Sequence, residues 1–227
     1  VKEKILLSWS GGKDSALTLE ALTHSGDYEV AALLSTVTEE YQRISMHGVR
    51  RDLLLAQAEA TGYALQEVFL PKDCTNDEYA RRMESALRPH VEAGVLKVAF
   101  GDLFLEDVRQ YRVDRLALIG MAPVFPIWGK DTTKLAHAFI QRGFRAVLVC
   151  VDTRVLDRSF AGREFDESLL SDLPAEVDPC GENGEFHTFV YDGPIFNQPI
   201  QIRRGEIVTR EERFEYCDIL RSTRASA

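Results

Sequence analysis

A chain of 227 residues can bury a proper core as one large domain or two small ones, and its 45% apolar and 28% charged residues are those of a soluble globular protein. A formal net charge of −9 argues against a nucleic-acid partner, since basic residues cluster only as pairs without interleaved aromatics: Arg50-Arg51, Arg81-Arg82 and Arg203-Arg204. These pairs read as solvated faces of helices or strands.

The four cysteines, Cys74, Cys150, Cys180 and Cys217, are scattered without a Cys-x-x-Cys pair, which argues against a zinc ribbon or a disulfide framework. No apolar run has the length of a membrane span and no basic-then-apolar leader opens the chain. The expectation is a cytoplasmic protein without a membrane partner. Whether it forms a homo-oligomer is left open.

The apolar run Lys4–Leu7 predicts a buried strand, and the apolar positions of Ala16–Leu22 recur at helical spacing. Between them lies Ser8-Trp9-Ser10-Gly11-Gly12-Lys13-Asp14-Ser15. A strand, a glycine turn and a helix start in such succession leave backbone N–H groups aimed at one point, which favours an anion. Gly11 and Gly12 let the main chain approach a phosphate closely, Ser10 and Ser15 offer hydroxyls, and Lys13 offers a cation. The Walker A spacing is absent. The same residues also read as a plain strand-to-helix turn with Asp14 as the helix cap.

Tyr28–Thr36 predicts a second buried strand that places Ser35 and Thr36 on the same carboxyl-end rim as Ser8, where ligands bind in open parallel sheets. A polar stretch, Arg43–Gly48, carries His47 before a glycine, either at that rim or simply on the surface. Val49–Ala60 reads as an amphipathic helix closed by Gly62, Ala64–Phe69 as a strand, and Asn76–Ala93 as a helix capped by Thr75 or Asn76 and followed by Gly94. Val95–Phe100 makes another strand ending at Gly101-Asp102, and Asp107–Ile119 another helix stopped by Gly120. This alternation predicts an α/β fold, an open parallel sheet with right-handed crossovers and helices on both faces.

The texture changes at Val124–Asp131, where a soft boundary divides a domain of residues 1–128 from one of residues 129–227. The second opens with a helix at Thr132–Gln141, stopped by Gly143, and a strand at Arg145–Val151. Shorter strands follow near His187–Tyr191, Ile200–Arg203 and Arg213–Tyr216. The last six residues are expected to fray.

A second unusual stretch is Asp178-Pro179-Cys180-Gly181-Glu182-Asn183-Gly184-Glu185-Phe186-His187-Thr188. Two glycines and a proline exclude a regular helix, leaving a structured loop with two carboxylates and an imidazole. Such a loop suits handling of a cation, an amine or a proton. A polar hairpin with its glutamates in water is the other reading.

Two resemblances bear on these stretches. Ser8–Ser15, with its Gly-Gly-x-Asp-Ser core, resembles the PP-loop of the ATP pyrophosphatases, which cleave ATP between its α and β phosphates. Gly181–Thr188 resembles the Glu-Gly-Gly-Glu-aromatic-Glu-Thr loop of the diphthine–ammonia ligase family, a branch of the PP-loop enzymes. Here Asn183 replaces a glycine and His187 replaces the third acid. Gly101-Asp102 with Arg112-Val113-Asp114, Pro126-Ile127-Trp128 and Ala161-Gly162-Arg163 resemble further segments of the family in the same order, so the likeness spans most of the chain. The run from Gly184 to Pro194 is more similar to bacterial relatives.

The resemblance implies an adenine nucleotide alpha hydrolase-like, Rossmann-like domain followed by a smaller α+β substrate domain. It implies ATP, Mg²⁺ and an AMP-forming amide ligase, in which a small-molecule or protein-borne carboxylate is adenylated with loss of pyrophosphate and then attacked by ammonia. Lys13, Asp14, Glu182, Glu185 and His187 would be catalytic. Ser8, Ser10, Gly11, Gly12, Lys13, Asp14, Ser15, Ser35, Thr36, His47, Gly101 and Asp102 would meet the nucleotide. Arg112, Glu182, Asn183, Glu185, His187 and Thr188 would meet the acceptor. Asp14 would cap the helix, hold Mg²⁺ through water or orient the loop, and the metal ligands stay unassigned. The alternatives are a nucleotide-sensing module of the same fold without ligase activity, and a PP-loop sulfur transferase with Cys180 as persulfide carrier. As a small hydrophobe Cys180 would simply pack.

Overall fold

The computed structural model describes residues 2–222. Its first half alternates strand and helix: β1 (Glu3–Ser8), α1 (Lys13–Ser25), β2 (Tyr28–Thr38), β3 (Arg43–Ile44), α2 (Arg51–Thr61), β4 (Leu65–Leu70), α3 (Asn76–Glu92), β5 (Lys97–Ala99), α4 (Glu106–Ala117) and β6 (Ala122–Val124). Strands β2, β1, β5 and β6 lie side by side and parallel, and β4 pairs parallel with β2. The two-residue β3 returns antiparallel on the end of β2.

Side-chain alternation along β1 explains why both faces are covered. Ile5 and Leu7 pack with Leu17, Leu19 and Leu22 of α1 and Leu53 and Leu54 of α2. Leu6 packs the opposite way, with Leu87 of α3 and Leu116 of α4. A register irregularity between Ile5 and Leu6 lets Val30 and Leu33 of β2 share one face although they stand three positions apart. The expected α/β sheet with helices on both faces is what forms.

Strand β6 lies where the sequence suggested only a junction. Its Pro123 has no N–H to donate, which a strand at the sheet's edge tolerates. The order β2-β1-β5 also puts a topological switch between β1 and β5, so the crevice for a ligand opens beyond Ser8 and Ala99.

The second half contains α5 (Thr132–Gln141), β7 (Arg145–Asp152), a 3₁₀ turn at Arg158–Phe160, α6 (Glu167–Asp172), β8 (Phe186–Asp192), β9 (Ile202–Arg210) and β10 (Phe214–Arg221). The last four strands form an antiparallel sheet in the order β8-β7-β10-β9. Strands β9 and β10 run longer than apolar content predicts, because β9 is a largely exposed edge whose residues alternate against only one neighbour. Short α6 starts from a side-chain cap, Asp166 accepting from the Leu169 N–H, too local a signal to stand out in a loop-rich stretch.

Buried residues of both sheets form one continuous cluster, from Ile5 and Leu53 to Phe186, Phe189 and Ile219. The expected fraying concerns residues 222–227, of which only Ser222 is described; its N–H donates to the Gln201 carbonyl. Among the described residues, no helix is long and apolar enough to cross a membrane.

Candidate active site

The glycine turn after β1 is held by a residue that the sequence reading passed over. Gly11 takes a left-handed φ of 78°, and a Cβ there would sit 2.6 Å from Oε1 of Gln57. Gln57, fully buried on α2, accepts from the Trp9 indole N–H at 3.0 Å and donates to the carbonyls of Gly11 at 2.9 Å and Val190 at 2.7 Å. Val190 N–H in turn donates to the Gly11 carbonyl. The signal was present: Gln57 occupies the i+4 position from Leu53 on the apolar stripe of α2, where a polar residue needs a partner.

Helix α1 begins at Lys13 with Gly12 as its cap residue. The Lys13 N–H is satisfied from across the molecule by the hydroxyl of Thr188 at 3.0 Å. Ser15 donates to the Gly12 carbonyl at 2.9 Å, and Ser10 Oγ accepts from the Gly12 N–H at 3.3 Å, so both hydroxyls brace the turn. Among the described residues the N–H groups of Asp14 and Ser15 donate to no other residue, leaving the first turn of α1 with donors toward the crevice. Ser8 ends β1 half-buried at the rim. Ser35 is buried and donates to the Trp9 carbonyl at 2.5 Å, and the Thr36 carbonyl accepts from Ser45 N–H. Ser35 therefore holds the turn from below.

Lys13 is 3% exposed. Its ammonium pairs with Asp14 at 2.9 Å, donates to the Cys180 carbonyl and lies 5.5 Å from the centre of the Phe186 ring. Burial works against that charge, but Asp14 and the other acidic groups around it, Glu182 included, outweigh burial and hold the amine above its ordinary value. The other Asp14 oxygen, Oδ1, is buried without a partner.

The acidic loop is ordered by its own carboxylates. Asp178, absent from the expected site, accepts from the N–H groups of Cys180 and Glu182. Glu185, 5% exposed, accepts from Asp178 N–H at 3.0 Å and from the Asn183 amide at 2.9 Å, while its Oε2 has no partner. Glu182 reaches back to the loop after β5 and accepts from Leu103 N–H at 2.7 Å. Burial pushes its carboxyl up to about 7, against the opposing hydrogen bond from Leu103. The glutamates thus hold loops together rather than point into water.

The Gly101–Leu103 segment also presses on α1: a Cβ on Gly101 would lie 2.9 Å from the Asp14 carbonyl. Asp102 takes a bidentate pair from Arg112, whose guanidinium stacks 4.2 Å over Phe100. His47 is brought beside His187, ring centres 4.3 Å apart, and its Cε1 is 3.4 Å from where a Gly12 Cβ would be. Burial, the neighbouring ring and Lys13 push His47 well below the usual histidine range, and burial with Lys13 brings His187 to about 4.

Cys180 is buried, its thiol donates weakly to the Thr132 carbonyl, and burial pushes it up to about 12. It packs as a small hydrophobe. Of the basic pairs, Arg50 pairs with Asp218 and Arg51 with Glu67, and both Arg81 and Arg82 pair with Glu78. Among the described residues no three His, Cys, Asp or Glu side chains are grouped to hold a metal ion.

The profile of the diphthamide synthase N-terminal domain matches residues 3–121, and that of the diphthamide synthase C-terminal domain matches residues 131–225. The chain is 28% identical to the diphthine–ammonia ligase of Schizosaccharomyces pombe over 90% of its own length and 37% of that protein's. It is 24% identical to the Bos taurus enzyme of the same name over 88% of its length and 83% of the relative's, and 26% identical to that of Danio rerio over 95% and 92%. Among solved structures, a predicted subunit of tRNA methyltransferase from Methanocaldococcus jannaschii aligns with a TM-score of 0.42 at 16% identity, over 87% of this chain and all of that one. Matched by both domain profiles along nearly its whole length, the chain belongs to the diphthamide synthase family.

Proposed function

We propose that this protein is an ATP-dependent, AMP-forming amide ligase of the diphthine–ammonia ligase type, with a nucleotide domain at residues 1–128 and an acceptor domain at 129–227. The observation that carries the reading is the joining of two loops some 170 residues apart: Lys13 is bound by both Thr188 and Cys180. The turn at Gly11–Ser15 receives the phosphate chain, with free N–H groups at the start of α1 placed for the charge that develops on departing pyrophosphate. The loop at Glu182–Thr188 faces that point and receives the acceptor carboxylate and ammonia. The unpartnered Oε2 of Glu185 serves as the base toward the incoming amine.

ATP enters such a site as its Mg²⁺ complex. A magnesium ion takes one or two protein carboxylates beside phosphate oxygens, and the orphaned Oδ1 of Asp14 fits that need without a three-residue cluster. Diphthine is the acceptor that the names of the relatives suggest, and the exchange of an acid for His187 sits where that acceptor would be read.

Incubation with Mg-ATP, ammonium and a carboxylate acceptor gives AMP and pyrophosphate, read by ³¹P spectroscopy; ADP and phosphate as products would overturn the reading. Lys13→Ala lowers turnover by roughly one to two decades, because the charge-assisted bonds that tie the turn to Asp14 and to the Cys180 carbonyl of the acidic loop are lost. Glu185→Gln abolishes amide formation while ATP binding persists. Activity retained in Cys180→Ser disposes of sulfur transfer through that thiol.

A further inference from the structure

Charge near the phosphate turn is poorly matched to a triphosphate. The imidazoles of His47 and His187 lie tilted at 32° with Lys13 of α1 as their charged neighbour; Arg43 and Arg50 flank His47 along the chain, Cys150 of β7 sits opposite His187, and the Tyr216 ring of β10 packs near Gly48. Lys13 is already paired with Asp14, and both arginines are paired with Asp218. No cation in this set is left over for an incoming polyanion. What does border the turn is a pair of imidazoles from separate elements, 4.3 Å apart. The edge of His47 is 3.4 Å from a Cβ position on Gly12, and its Nδ1 is buried without a partner.

Resting on the ATP reading above, we propose that the His47–His187 pair is a proton seat that loads when the nucleotide's phosphate chain docks on Gly11–Ser15. One imidazole of the pair takes a proton from solvent as the phosphates arrive, supplying the missing positive charge. Its neighbour stays neutral, because two imidazolium rings at that separation repel. The proton is released to solvent again when the phosphate products leave, so no net proton is consumed by the seat. In the free protein burial and Lys13 keep both rings neutral, and an adjacent polyanion reverses that balance. The pair as a unit therefore holds phosphate charge, a task that an acid at position 187 would oppose.

The test is calorimetric titration of the protein at pH 7.5 with the Mg²⁺ complex of α,β-methylene-ATP, which is not cleaved, in buffers of different ionisation enthalpy. Wild type takes up about half to one proton per nucleotide, and its affinity falls by up to about tenfold per pH unit above neutrality. His47→Gln and His187→Gln each lose the uptake and flatten that dependence. Imidazole C2–H resonances, followed in the wild type alone, shift toward the protonated position on titration. Binding without proton uptake overturns the proposal and leaves the ATP reading standing, as does uptake unchanged in both variants. No binding by wild type overturns the ATP reading and the proposal together.

Discussion

Glu182 shows at the scale of one residue how the site is set against the stability of its own loop. Its folded carboxyl titrates at about 7, above the ordinary value, with burial as the main cause. A carboxyl raised in the folded state binds more protons there than in the unfolded chain, so stability falls as pH rises through the interval between ordinary value and 7. Glu182→Gln keeps an acceptor for the Leu103 N–H and removes the charge. It is expected to raise the melting temperature at pH 8 and leave it nearly unchanged at pH 4.5. Discounted for solvent screening of this partly buried group, the gain is roughly 1 kcal/mol, or about 2–4 °C. Equal melting shifts at both pH values would show that charge is not the cause. Sequence made Glu182 legible as a site residue, because two glutamates and two glycines crowd one short loop. It did not show the partner, since Leu103 lies some eighty residues away and contributes only backbone. His47 was equally ambiguous for a related reason: its meaning comes from His187, and only tertiary structure brings the rings together.

Among the elements, α2 does more than cover the sheet. Its Gln57 bonds the loop after β1, the indole of Trp9 and strand β8 at once. Replacing it by Leu keeps the volume but leaves the Trp9 indole N–H and the Val190 carbonyl without this partner in a dry interior. The expected loss is about 2–4 kcal/mol, read by urea unfolding, with weakened nucleotide binding because Gly11 loses its clamp. A loss below about 0.5 kcal/mol would mean that water or a relaxed backbone replaces the glutamine. The helix itself was legible from Leu53, Leu54, Ala56 and Ala60, and its end from Gly62, which adopts the left-handed cap. The parallel strands were legible for the same reason, as apolar runs between helical periods. Strand β6 was not, since three residues with a central proline carry no period. Nor was the extent of β9, whose exposed side chains look like loop because half of what makes it a strand is the backbone of β10.

Across the whole molecule, the two sheets share one buried cluster and are also tied at its margin. Asp218 on β10 takes Arg43 and Arg50, which flank the His47 loop, and Arg142 beyond α5 reaches Glu20 on α1. Burial alone would raise the Asp218 carboxyl, but the two guanidiniums outweigh it and hold it below the usual range. A depressed carboxyl contributes stability above its unfolded pKa, and that contribution is lost as pH falls through the lower folded value. Asp218→Asn is therefore expected to destabilise the protein at pH 7 and to differ little from wild type in strong acid. Because the core is continuous, calorimetry should show one transition in both proteins, displaced to lower temperature in the variant at pH 7. The variant should also weaken nucleotide affinity, as Arg43 and Arg50 no longer hold the chain on either side of His47 in place. Two resolved transitions, with the first sensitive to Asp218→Asn and the second not, would instead mean that the sheets melt independently and that these ion pairs merely dock one upon the other.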